Sequence, residues 1–199
     1  MDDFARFMRE WGEHPIDRVS SASIEHLPIP PDAKRWLAEA GLPTNLILHN
    51  EPLFEFRTDF NNGLYHVATE MMRSGDFVQR PEWSSWWVLG TADVDGGAPT
   101  WLCLESSGGI IEFYPEHEDE ARPPRLFVNS GLPQFARSLL AFYEVFQGLP
   151  MNAFSESEQL RRADLLEAKL QTIDPTAFTK HRFDGLWSFI LRMARGDYP

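Results

Sequence analysis

The chain has 199 residues, of which 43% are hydrophobic and 13% aromatic, and its formal net charge is −12. This length and apolar content predict a single domain, residues 1–199, with a sizeable core. A chain this acidic repels phosphate backbones, which argues against direct binding of nucleic acid, whereas its charge would attract a basic protein. No apolar run approaches the ~20 residues of a membrane span, so no membrane partner is expected.

The chain contains one cysteine, Cys103, so no disulfide can form within it and a reducing cytosol is its natural environment. It starts with Met1-Asp2-Asp3 and shows neither the basic nor the apolar region of a secretory signal. Together these features predict a cytoplasmic protein. Nothing in the sequence indicates an oligomeric state.

The first third of the chain carries two helix signals. The first predicted helix places four apolar residues on one face, namely Phe4, Phe7, Met8 and Trp11. The second starts at Pro31, which suits a first helical position, and Gly41 is its expected left-handed cap. Its predicted inner stripe is Ala33, Trp36, Leu37 and Ala40. Candidate strands follow at residues 53–57 and 64–67.

The central stretch from Trp86 to Leu140 organises the rest of the chain. Four short apolar runs, separated by Gly-rich or acidic turns, predict strands at residues 86–89, 100–104, 110–114 and 126–128. The spacing then changes to that of a helix with an apolar stripe formed by Leu132, Phe135, Leu139, Phe142 and Phe146. We expect Ser130 to cap this helix and Phe135, Leu139 and Phe142 to be buried against the sheet.

From Ser155 onward the pattern is helical. Ser155 and Glu158 match a capping box, and the next apolar stripe is Leu160, Ala163, Leu166 and Leu170. A last helix, which Asp184 is placed to cap, would bury Trp187, Ile190, Leu191 and Ala194. We therefore predict an α+β fold with a mostly antiparallel central sheet flanked by helices. Its sheet core covers about residues 50–147, and a helical C-terminal extension covers about residues 155–197.

Motifs that carry chemistry are absent from the sequence. There is no GxxxxGK[ST], GxGxxG, HExxH or CxxC pattern. Gly96-Gly97 and Gly108-Gly109 join predicted strands, which favours hairpin turns over phosphate-binding loops. Cys103 lies in an apolar strand, which favours a buried inert thiol over a nucleophile. We expect no catalytic residue, no cofactor and no metal site.

Two groups of residues are candidates for partner binding. The loop between the third and fourth central strands carries Glu116, Glu118, Asp119 and Glu120 without the spacing of a calcium loop. A solvated acidic loop is the simplest interpretation, and a partner-binding loop is the alternative. Trp83, Trp86, Trp87 and Trp101 are mostly expected in the core, with one or two as exposed anchors. Our candidate partner-binding residues are Glu116, Glu118, Asp119, Glu120, Trp83 and Trp86.

Four features in this order resemble the SUKH superfamily, which includes the Smi1/Knr4 proteins, and in particular its SUKH-4 subgroup. They are the segment Ile29 to Pro43, the hairpin from Trp101-Leu102-Cys103-Leu104 to Gly108-Gly109-Ile110-Ile111, the run Phe127-Val128-Asn129-Ser130 before Leu132 and Phe135, and Ile173-Asp174-Pro175 followed by Trp187. The resemblance covers about Phe4 to Gly196.

This resemblance implies an immunity protein that binds a toxin made by the same bacterium. The toxins of such families are often nucleases or nucleic-acid deaminases, and the implied mechanism is occlusion without turnover. Two other interpretations stay open. One is a cytosolic scaffold or regulatory module of Smi1/Knr4 type with a non-toxin partner. The other is an enzyme or a small-molecule-binding protein with a pocket beside the sheet.

Overall fold

Aliphatic and aromatic runs form an antiparallel sheet at the centre of the molecule. The computed structural model describes residues 7, 9, 11, 16–48, 51–57, 63–69, 81–92, 100–114, 125–146, 149–180 and 185–197. The strands in these ranges are β1 (Ile16–Asp17), β2 (Leu42–Pro43), β3 (Asn45–Leu48), β4 (Glu51–Phe56), β5 (Tyr65–His66), β6 (Trp86–Ala92), β7 (Thr100–Glu105), β8 (Ile110–Phe113) and β9 (Arg125–Asn129).

Strand order and pairing confirm the predicted α+β fold. β1 pairs with β2, and the main sheet runs β3-β4-β6-β7-β8-β9, with β5 paired to β6 beside β4. All of these pairs are antiparallel. Strands β4 to β9 cover the six apolar runs from which strands were predicted. β3 was not predicted, because its four residues show no alternation of apolar and polar side chains.

The sheet buries both of its faces. Along β7, Leu102 and Leu104 join a large cluster with the helices, whereas Cys103 points to the opposite side, as the two-residue period of a strand requires. We call that opposite side the second face. Its buried cluster comprises Val67, Ala68, Trp83, Trp86, Val88, Cys103, Ile111 and Phe113.

The helices lie on the first face and around it. They are α1 (Ser21–Ile24), α2 (Pro31–Arg35), α3 (Leu132–Phe146), α4 (Glu156–Ile173), α5 (Pro175–Lys180) and α6 (Leu186–Arg195). α2 begins at Pro31 as predicted and continues into a π-helical turn, Trp36–Ala40. The predicted inner stripe of α2, Ala33, Trp36, Leu37 and Ala40, is buried. Phe7 and Trp11 are buried too, whereas Phe4 and Met8 lie outside the described residues.

Gly41 ends the π-helical turn in a conformation that differs from the predicted left-handed cap. Its φ is 77°, as a glycine cap requires, but its ψ is −171° instead of the small positive value of that cap. The chain leaves the turn directly into β2, which pairs with β1. A Cβ at this position would lie 2.2 Å from the carbonyl oxygen of Asp17, so the close approach of β1 also requires glycine.

Gly90 marks a second close approach, inside the main sheet. The pairing of β6 with β7 shifts between Val88 and Gly90, and Gly90 pairs with Phe56 of β4. A Cβ on Gly90 would lie 2.1 Å from the carbonyl oxygen of Glu55. β4 can therefore pair with β6 at this point only because residue 90 has no side chain.

Helix α3 carries the predicted apolar face. Phe135, Leu139 and Phe142 are 0%, 0% and 3% exposed, which confirms their predicted burial. The Phe135 ring meets the Phe54 ring of β4 edge to face, with 5.4 Å between centroids. The predicted cap is wrong by one residue, because Phe135 N–H donates to Gly131 O and the helix begins at Leu132.

The C-terminal helices pack on α3 and on each other, with α4 touching both α3 and α6. The inward residues predicted for α6 are buried, as are Ala163, Leu166 and Leu170 of α4. Leu160 is 41% exposed, so its place in the predicted stripe is wrong. Ser155 is the N-cap residue of α4 but makes no capping hydrogen bond. Glu158 instead accepts from Arg161 and Arg162, so the predicted capping box is not formed.

Candidate partner-binding site

The acidic candidate residues lie between two described strand ends. β8 ends at Phe113, β9 begins at Arg125, and these two residues are direct cross-strand partners. Glu116, Glu118, Asp119 and Glu120 lie outside the described residues. Their part in partner binding therefore stays a prediction, and the structure supplies only the position of their neighbours in the chain.

The two candidate tryptophans are buried in the second face. Trp83 is 1% exposed and Trp86 is 2% exposed. Both rings meet the ring of Phe113, at centroid distances of 6.0 Å for Trp83 and 5.5 Å for Trp86. Neither indole offers a free surface to a partner. These residues would therefore contribute to binding indirectly, by supporting side chains that do reach the surface. That contribution also stays a prediction.

Trp101 is the tryptophan that reaches the surface. All seven tryptophans of the chain lie within the described residues, and six of them are buried. Trp101 is partly exposed and packs on the second-face cluster, with its ring centroid 5.9 Å from that of Phe113. Strand alternation predicts that Trp101 shares a face with Cys103, but alternation alone does not reveal which residues of that face stay uncovered.

Trp101 belongs to a row of residues that crosses the sheet. The register pairs Glu55 with Thr91, Thr91 with Trp101, Trp101 with Phe113, and Phe113 with Arg125. Directly paired residues of antiparallel strands lie on one face, so these five side chains share the second face. Phe113, which lies between Trp101 and Arg125 in the row, is 0% exposed, whereas its two neighbours reach solvent.

Arg125 covers Trp86 and is paired within the protein. Its guanidinium carbon lies 5.9 Å from the centroid of the Trp86 ring, and its Nη1 lies 3.1 Å from Oε1 of Glu105. The Arg125 side chain is 52% exposed and the Glu105 side chain 17%. The positive charge at this end of β9 is thus offset by a partly buried carboxylate.

Two chain connections begin at the end of the sheet that carries Trp101. Ala92 pairs with Thr100, and Phe113 pairs with both Trp101 and Arg125, so the described ends of β6, β7, β8 and β9 lie side by side there. By sequence, the connection from Ala92 to Thr100 carries Asp93 and Asp95. The connection from Phe113 to Arg125 carries the four candidate carboxylates.

A buried carboxylate lies beneath this end, on the helix-covered face. Glu112 is 1% exposed, and its Oε1 accepts hydrogen bonds from Tyr114 Oη at 2.9 Å and Thr100 Oγ1 at 3.0 Å. Thr100 Oγ1 also lies 3.2 Å from the carbonyl oxygen of Ala92, so its single proton is shared between two acceptors. These contacts join the ends of β6, β7 and β8. We therefore assign Glu112 a structural role.

Chemically reactive groups are few in the described part of the chain. Cys103 is 0% exposed, and burial, with a smaller contribution from the charge of Glu105, raises the pKa of its thiol far above the ordinary value. The predicted buried thiol is confirmed. No group of three or more His, Cys, Asp or Glu residues suited to a metal ion occurs among the described residues.

Two of the sequence features behind the family resemblance meet in one buried network. Asp174 Oδ2 accepts hydrogen bonds from Ser130 N at 2.6 Å and from Asn129 Nδ2 at 3.1 Å. Asn129 Oδ1 accepts a hydrogen bond from Trp187 Nε1 at 2.9 Å. Asn129, Asp174 and Trp187 are 1%, 2% and 4% exposed, so these residues join β9 to the C-terminal helices instead of forming a surface site.

Comparison with known proteins identifies the family. The model of the SUKH-4 immunity protein family matches residues 3–192, which include all the strands described above and most of the helical extension. No curated protein and no solved structure gives a significant match to the chain. Among the described helices, none combines the length and the apolarity that crossing a membrane requires. The match spans more than nine-tenths of the sequence, and the chain belongs to the SUKH-4 immunity protein family.

Proposed function

We propose that this protein binds a cognate bacterial toxin that acts on nucleic acid, a nuclease or a deaminase, and blocks it by occluding its substrate groove. Membership of the SUKH-4 immunity protein family carries this proposal. Occlusion needs a complementary surface and no turnover, so no catalytic group is assigned to the protein. The partner is the toxin alone, without a cofactor.

The charge of the protein supports this class of toxin. An enzyme that acts on nucleic acid needs a basic groove, because it must neutralise phosphate groups. A protein with a formal charge of −12 is attracted to such a groove and repelled by the nucleic acid that the groove normally binds. The same charge difference accelerates the encounter of the two proteins, and added salt weakens this acceleration.

The segment of residues 115–124 is the proposed phosphate mimic. It carries Glu116, Glu118, Asp119 and Glu120, with Arg122 as its one arginine or lysine. Its two ends are fixed at adjacent strand positions, Phe113 and Arg125, at one end of the sheet. Carboxylates held there would enter a basic groove together, in place of the phosphates of the substrate.

Protection of cells tests the immunity role itself. The toxin encoded beside this gene is expressed in a sensitive host, with and without this protein. Survival that depends on the protein, together with a 1:1 complex of the purified proteins and loss of toxin activity in vitro, is the expected result. Killing that this protein does not reduce would overturn the proposal.

A charge reversal tests the acidic segment separately. The variant Glu116→Lys, Glu118→Lys, Asp119→Lys is compared with a control of the same charge change, Asp17→Lys, Glu25→Lys, Asp32→Lys, which alters exposed residues away from this end of the sheet. We expect slower association and a flatter salt dependence for the first variant only. Equal association rates for the two variants at low ionic strength would exclude the segment as the recognition element.

A further inference from the structure

We infer that Trp101 is the anchor of the toxin interface, and that its partly exposed indole receives an arginine or lysine side chain from the basic surface of the toxin. This inference rests on the proposed function and adds the contact that holds the complex together. It concerns the second face of the sheet, at the end where the acidic connections begin.

The first argument is exposure. Six of the seven tryptophans are buried, and Trp101 is the one that reaches solvent. A tryptophan at the surface exposes a large apolar area that a partner can bury, and tryptophan and arginine are the residues most enriched at the energetic centres of interfaces. Trp86, on the same face, is 2% exposed, and the guanidinium carbon of Arg125 lies 5.9 Å from its ring centroid.

The second argument is rigidity. Trp101 lies on β7, an inner strand of the sheet, and is paired on one side with Thr91 and on the other with Phe113. Its ring rests against that of Phe113, which is held from other directions by Trp83 and Trp86. A ring supported in this way loses little conformational freedom when a partner covers it, so more of the contact energy appears as affinity.

The third argument is charge. The connections that begin at Ala92 and at Tyr114, on either side of Trp101, carry Asp93, Asp95 and the four carboxylates of residues 116–120. Arg125, the cation of the same cross-strand row, is paired with Glu105. The negative face of an indole attracts a cation, and carboxylates attract cations over a longer range. A basic protein surface is therefore the occupant that fits this position.

Anchor and acidic segment should differ in the rate constant that they control. Long-range charges mainly set the association rate, whereas a contact that is desolvated in the complex mainly sets the dissociation rate. The structure thus predicts a division of roles, in which residues 116–120 accelerate encounter and Trp101 retains the bound toxin.

Kinetics of variants against an inactivated form of the toxin encoded beside this gene test the anchor. Trp101→Ala should raise the dissociation rate about 10- to 30-fold with little change in the association rate, and Trp101→Phe should have a smaller effect because it keeps a ring. Leu165→Ala on α4, which truncates another exposed apolar residue, serves as the control and should change neither rate. An unchanged dissociation rate for Trp101→Ala would overturn the inference.

Footprinting uses the unsubstituted protein, so this second test does not require that a Trp101 variant folds. Hydroxyl radicals should oxidise Trp101 in the free protein, and the inactivated toxin should reduce that oxidation several-fold. Equal oxidation of Trp101 in the free and bound protein would exclude it from the interface, while cell protection would still support the proposed function. If the protein neither binds the toxin nor protects cells from it, the proposed function is wrong, and the inference about Trp101 is wrong with it.

Discussion

The carboxylate of Asp174 accepts a hydrogen bond from the backbone N–H of Ser130, with 2.6 Å between the two heavy atoms. The residues are 44 positions apart in the chain, and the contact joins the end of α4 to the end of β9. The same oxygen accepts from Asn129, whose own carbonyl oxygen accepts from Trp187 of α6. One carboxylate oxygen thus accepts hydrogen bonds from two donors at the end of β9, the buried side-chain amide of Asn129 and the partly buried backbone N–H of Ser130.

Asp174→Ala should lower the free energy of unfolding by about 2–4 kcal/mol, because it removes a charged acceptor from the buried Asn129 amide and from the partly buried Ser130 N–H. Urea denaturation measures the loss. Asp164→Ala is the matched control, since the Asp164 side chain is 74% exposed and its ion pair with Arg195 should contribute less than about 1 kcal/mol. Equal losses for the two variants would show that the buried network is not stabilising.

Phe135→Ala should lower the free energy of unfolding by about 3–5 kcal/mol, because the substitution leaves a cavity between α3 and β4. The Phe135 ring is fully buried and touches both Phe54 and Trp187. The measurement is again a urea melt, with the exposed Leu165→Ala expected within about 0.5 kcal/mol of the parent protein. A loss below about 1 kcal/mol for Phe135→Ala would contradict the packing described for α3.

The Cys103 thiol should react slowly with a disulfide probe at neutral pH and rapidly once the protein is denatured. Reaction requires an accessible thiolate, and burial both excludes the probe and raises the pKa of this thiol. Cys103→Ala should keep full protection against the toxin in the cell assay. Fast labelling of the native protein, at a rate close to that of the denatured protein, would refute the assignment of a buried thiol.

Glu158 should contribute to the acid stability of α4. The bidentate hydrogen bond from Arg161, assisted by the charge of Arg161 and by Arg162, lowers the pKa of this carboxyl from an ordinary value of 4.5 to about 2. Since the pKa is lower in the folded state, the stabilisation is complete above about pH 4.5 and is lost as the pH falls through about 2.

Glu158→Gln should therefore lose less stability than the parent protein between pH 4.5 and 2, as thermal melts at several pH values would show. The difference should shrink in high salt, because the Arg161 side chain is 63% exposed and solvent ions screen the pair. Parallel pH profiles for the two proteins at low salt would show that Glu158 titrates normally.

Periodicity predicted the parts of the fold that depend on neighbours in sequence. The strands of the central stretch and the apolar face of α3 were correct, since alternation and helical spacing decide which side of an element is buried. Leu160 was misplaced because helical spacing does not show where along a helix burial begins, and in α4 it begins at Ala163. The capping box failed because the Glu158 carboxylate binds two arginines, and helix-end rules do not include that competition.

The candidate site was harder to predict, because it depends on contacts between residues far apart in the chain. The pairing of Trp86 with Glu105, together with alternation along β7, puts Trp86 and Trp101 on the same face. Which of the two is covered depends on Arg125, which lies on another strand and reaches Trp86 and Glu105. The partnership of Asn129 with Asp174 is equally invisible in sequence spacing, although both residues belong to the features that indicate the family.

The close approach at Gly90 separates two kinds of mutational constraint in this protein. In a library of all substitutions at residue 90, every variant should be depleted whichever toxin is used for selection. Any Cβ would collide with the Glu55 carbonyl and force β4 away from β6. Substitutions at Trp101 should be enriched or depleted according to the toxin that challenges the cells. A duplicated copy of this gene could therefore acquire a new toxin specificity by changes around Trp101, whereas Gly90 would stay the same in every copy that still folds.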